Sequence, residues 1–68
     1  MDKHEIEITT RDRVLRAWEN SMELARDFEI YSKEIKDHGD VAEIFDEFAE
    51  DEGLHASKFR EILHRMQN

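Results

Sequence analysis

The sequence predicts an all-α protein: an antiparallel hairpin of two long helices that pairs with a second hairpin into a four-helix bundle. Three observations lead there. The chain has 68 residues, no proline and only two glycines, Gly39 and Gly53, so almost nothing interrupts a helix. Apolar residues recur at helical spacing on both sides of Gly39. Finally, a chain this short has no cysteine with which to staple itself, so it is expected to need a second copy to bury enough apolar surface.

Taken in order, residues 1–8 form a tail or a short helix extension. Their Glu5-Ile6-Glu7-Ile8 alternation resembles a strand, but a lone short strand has nothing to pair with. Thr9 and Asp12 have capping-box spacing and mark the first helix start at Thr9 or Thr10. That helix is expected to run to about Asp37, where Gly39 follows as the residue that ends a helix without strain. Asp40 is the expected N-cap of the second helix, with Glu43 three positions on, and the helix reaches about Met66. Each helix would be roughly 40 Å long at about 1.5 Å per residue. Residues 9–68 thus make one helical hairpin.

With Val41 at 0° and steps of about 100° per residue, Phe45, Phe48, Phe59, Ile62, Leu63 and Met66 all fall within about 60° of it. The first helix has a broader apolar face of Val14, Leu15, Trp18, Met22, Ala25, Phe28, Tyr31 and Ile35. Packing one such face on the other leaves apolar surface over, and two hairpins face to face would cover it.

Composition removes several functions. Without cysteine there is no disulfide framework, thiolate zinc site, iron–sulfur cluster or cysteine nucleophile. The formal charge of −8 argues against a nucleic-acid partner. No apolar run approaches the ~20 residues of a membrane span, and the start MDKHEIEITT lacks the apolar centre of a secretory signal, so the expected location is the cytoplasm.

Two residues break the pattern of the second helix. Glu52 falls at about 20° on the same wheel and His55 at about −40°, in the middle of the phenylalanine stripe. An unpaired carboxylate there costs several kcal/mol, so something must compensate it. The i, i+3 spacing puts a carboxylate and an imidazole one turn apart on one face, which suits chelation of a metal ion. A second ion can be bridged if a partner helix brings the same pair. The plainer readings are an intrahelical ion pair or hydrogen bonds to Ser21 or Ser32. His64 lies off the apolar face, His38 in the turn and His4 in the tail, and these are expected to be solvated.

The run from Val41 through Glu52-Gly-Leu-His55-Ala56 to Phe59 and Leu63 resembles the second helix of rubrerythrin-type members of the ferritin-like superfamily. Ala25-Arg-Asp-Phe28 and Glu29-Ile-Tyr31 are similar to the carboxylate-bearing helix of the same unit, and together the likeness covers about residues 14–66. The resemblance implies a ferritin-like four-helix bundle in which a first-helix glutamate and Glu-x-x-His hold two iron ions. A full family member carries the helix pair twice and this chain once. The resemblance therefore implies a homodimer, as in encapsulated ferritins, with two ions at its interface, or a higher homo-oligomer. Manganese or zinc are the alternative metals. The activity so implied is Fe(II) oxidation, iron handling or peroxide reduction, with an external electron donor or an enclosing shell protein as partner.

The match departs at the first-helix ligand, where an ungapped alignment puts Met22. Glu29 lies two turns nearer the hairpin on the Met22 stripe and is one candidate. Glu23 is the other, if a one-residue π-bulge between Glu23 and Phe28 turns it inward. Failing both, the site is one ligand short. Against the metal reading stands a non-catalytic hairpin that serves as a dimerisation or docking module, with Glu52 and His55 fixing register.

Overall fold

The computed structural model describes residues 7–67, which form two α-helices and no strand: α1 (Thr10–Glu34) and α2 (Gly39–Met66). Residues 7–9 precede α1 without regular structure; the reading of residues 1–6 as a tail, His4 included, lies outside the described residues.

The start of α1 follows the expected capping chemistry. The Asp12 backbone N–H donates to Thr9 Oγ1 and the Thr9 N–H donates to Asp12 Oδ2, each at 3.1 Å. These two bonds satisfy amides that a helix start leaves unpaired. Above Thr9, the Arg13 guanidinium donates to the Ile8 carbonyl at 2.7 Å. The backbone and side chain of Thr9, in that order, hold the Asp12 carboxyl below its ordinary value of 3.8. A lowered folded-state pKa means that this cap acts fully above about pH 4 and is lost as the pH falls through the lowered value.

The end of α1 and the start of α2 differ from expectation. α1 stops at Glu34 rather than Asp37, and Ile35 caps it in an extended conformation, its N–H donating to Tyr31 O at 3.0 Å. Gly39 is the first residue of α2, not the left-handed end of α1; no described residue has a positive φ. The physical reason is Ile35. By leaving the helix there, the chain keeps that side chain half-buried over the end of the pair, and four residues then suffice for the turn. His38 occupies the N-cap of α2 without a side-chain bond, and Asp40 sits in the first turn, where its charge still favours the helix start.

Ring contacts tie the hairpin end together. Phe28 lies 5.5 Å from Phe45 and 6.5 Å from Phe48, centroid to centroid, and Tyr31 meets Phe45 edge-on at 5.6 Å. Farther along, Trp18, Met22 and Ala25 share a groove with Gly53, Ala56, Ser57 and Arg60. This register sets Ser21 level with Ala56, and with Leu63 these are the only buried residues described. The seam of α1 therefore steps through Val14, Trp18, Ser21, Ala25, Phe28, Ser32 and Ile35. That of α2 steps through Ala42, Phe45, Ala49, Glu52, Ala56, Phe59 and Leu63. Both step by alternating threes and fours, the spacing of coiled-coil seams. Met22 and Tyr31, expected in one face, lie exposed on opposite sides of this seam.

The result is a slab 55 × 30 × 12 Å in extent, one helix thick. Its front carries Leu24, Tyr31, Val41, Phe48 and His55; its back carries Met22, Glu29, Gly53 and Ser57. No helix among the described residues is long and apolar enough to cross a membrane.

Two stability measurements check these local arrangements. Thr9→Ala is expected to lower the unfolding free energy by about 1 kcal/mol in urea titration. A Cβ added at Gly53 meets nothing within 4 Å. Gly53→Ala should therefore raise stability by about 0.5–1 kcal/mol, and a loss would mean that another chain packs there.

Candidate functional site

Glu52 is the only charged residue in the middle of either seam; Arg11, one step before Val14, is half-buried at the open end of α1. The place of Glu52 follows from the heptad spacing of α2, which puts it between Phe45 and Phe59 on one row. Its side chain keeps 21% of its exposure, whereas that of His55, one turn on and toward the front, keeps 60%. His55 Nδ1 stands 3.5 Å from Glu52 Oε1, at the outer limit of a hydrogen bond. Neither Ser21 nor Ser32 bonds to the pair. In a single chain, then, the carboxylate has one distant partner and the imidazole faces outward.

The first-helix candidates stand elsewhere. α1 is regular from Thr10 to Glu34, with no π-bulge, so Glu23 stays exposed and, at about 160° from Ser21, points away from α2. The expected bulge fails because α1 already presents an unbroken three-and-four seam to α2, and an inserted residue would shift every later seam position. Glu29 lies on the back, lining a groove with Met22, Asp46 and Glu50, and it pairs with Lys33 at 3.7 Å. Thus the fold brings Glu52 and His55 together and leaves Glu23 and Glu29 apart from them.

Sequence reasoning passed over Asp27. Among the described carboxylates only Asp27 and Glu52 are less than exposed, and Asp27 lies on the front side of α1 with Leu24 and Tyr31. It has no hydrogen-bond or ion-pair partner among the described residues. Its signal in the sequence is its place, three residues after Leu24 and four before Tyr31. Among the described residues no three His, Asp or Glu groups converge as a metal site within one chain. His38 is exposed in the turn beside Asp37, 3.2 Å away, and His64 is exposed on α2.

No protein-family model, curated protein or solved structure matches this chain at a significant level.

In metal-free protein Glu52 is a desolvated charge with a poor partner. For the single chain, at a concentration low enough to keep it monomeric and with a chelator present, Glu52→Leu is therefore expected to raise stability against urea by about 1 kcal/mol. A drop in stability would show that the carboxylate makes a stronger contact than the one to His55.

Proposed function

We propose that this chain is an iron-binding protein of ferritin-like type whose metal centre forms between two copies. The observation that carries the reading is the half-buried carboxylate in the middle of the seam, Glu52, in contact with His55 on the phenylalanine stripe. The donor chemistry fits: a carboxylate and an imidazole suit iron, with manganese or zinc as substitutes. Each chain offers two such donors, so two chains are needed for an adequate ligand set. Glu52 and His55 of both copies are the residues that would hold two ions per dimer. When bound there, iron would supply Fe(II) oxidation or peroxide reduction.

The chain's own residues have narrower tasks. Phe45 and Phe59, one heptad to either side of Glu52 on the same row, would limit water at the carboxylate and so strengthen its attraction for a cation. The acidic exterior, at a formal charge of −8, draws cations toward the protein. With no cysteine in the chain, electrons for peroxide reduction come from a separate donor.

The second reading, a dimerisation or docking module without metal, is favoured by the contact that Glu52 and His55 make with each other. Metal analysis of protein purified without chelator separates the two. On the iron reading there is about one iron per chain, and Glu52→Ala or His55→Ala removes nearly all of it. A folded dimer that takes up no Fe(II) refutes that reading. Glu23→Ala and Glu29→Ala belong in the same series, and a loss of iron in either one identifies it as a further ligand. Oxygen uptake on adding Fe(II), set against turnover of hydrogen peroxide, then assigns the reaction.

A further inference from the structure

Beside the seam that α2 makes with α1 runs a second one on the front. It starts with Val41, Phe45 and Phe48, passes through Glu52 and His55, and ends with Phe59, Ile62 and Met66. Its steps also alternate between three and four, and it shares Phe45, Glu52 and Phe59 with the first seam. A helix with two adjacent seams is built to touch two other helices, and this chain supplies one.

The order of residues in the second seam is symmetrical. The polar pair stands at its centre with three apolar positions on each side. If the stripe is laid antiparallel on itself about the point midway between Glu52 and His55, Phe48 falls opposite Phe59, Phe45 opposite Ile62 and Val41 opposite Met66. Glu52 then falls opposite His55. A two-fold interface demands this self-complementarity, in which residue i meets j and j meets i.

Surface area and charge agree. A compact monomer of 8.2 kDa exposes about 4,500 Å², by the usual dependence on mass. This chain exposes 5630 Å². The surplus is about 1,100 Å², on the scale of the ~800 Å² that each partner contributes to a standard interface. The front holds Phe48 at 48% exposure and Met66 at 41%. The back holds the groove of Trp18, Met22, Ala25 and Gly53 and, beside it, the charges of Arg26, Glu29, Asp46 and Glu50. Glu52 and His55 stand level with Ala25 and Met22 of α1. The same axis therefore sets Arg13 opposite the partner's Glu34, and Asp27, which has no partner of its own, opposite the partner's Asn20.

We infer that two copies pack front to front, α2 antiparallel to the partner's α2, with the two-fold axis between Glu52 and His55 so that each His55 meets the partner's Glu52. The inference deepens the iron reading, because it supplies the second Glu52–His55 pair which that reading requires, but it does not need metal for the copies to associate.

The cysteine-free chain allows a direct test. Val41→Cys and Met66→Cys proteins are prepared separately, then oxidised alone and as a mixture, with a chelator present. Like positions stand about 37 Å apart across the axis at 1.5 Å per residue, far beyond disulfide reach, whereas Val41 and the partner's Met66 are opposed. The expected result is a disulfide-linked dimer from the mixture at least tenfold in excess of that from either protein alone. Phe48→Cys with Phe59→Cys should repeat the pattern, and covers the case in which one pair fails to fold. A wild-type chain that sediments as a monomer at hundred-micromolar concentration overturns the interface, as does equal cross-linking of like with like in both pairs. A cross-linked dimer that binds no iron leaves the interface standing and removes the metal reading. Bound iron with neither mixed cross-link does the reverse.

Discussion

Two helices share only one line of contact, and everything else about this chain follows from how little that line can bury. In a slab one helix thick each residue either touches the opposite helix or faces water. Ser21, Ala56 and Leu63 reach burial because they sit on the line itself, and two of them are small because the backbones approach closely there. Most of the large apolar side chains stand beside the seam and are covered on one flank alone. The chain thus holds its hydrophobic surface in a form that a single copy cannot use.

Glu52 gains its interest from the same geometry. On the outer face of α2 it would be one more solvated glutamate among many. On the row shared by the two seams of α2 it is partly stripped of water, yet offered only a weak contact to His55. A carboxylate in that position favours any cation that can reach it. The net charge of −8 does not oppose the approach of two copies as strongly as it would on an even surface, because most acidic residues lie away from the front.

Much of this is legible in the sequence. The Thr9 cap, the two helices, the end of α2 and the oddity of Glu52 and His55 follow from spacing alone, since each depends on neighbours within a turn or two. What could not be read depends on the other helix. Gly39-Asp40 is a locally sound helix boundary, but it is Ile35 that sets the end of α1, because its side chain belongs to the seam. A broad apolar face averages Met22 and Tyr31 together, while the antiparallel partner parts them to back and front and installs Ser21 between. The places of the first-helix carboxylates could not be read for the same reason. Whether Glu23, Asp27 or Glu29 shares a side with Glu52 is decided by the handedness of the hairpin, which no wheel drawn for one helix contains.

The turn between the helices has little of its own to hold it in shape. Of its four residues, none takes a positive φ, none is proline, and the helix it leads into begins without a side-chain cap. Nothing in Ile35-Lys36-Asp37-His38 compels the chain to reverse there. The bend is the consequence of the seam, held closed by Phe28, Tyr31, Phe45 and their neighbours, so the hairpin has the character of a hinge latched from its far side.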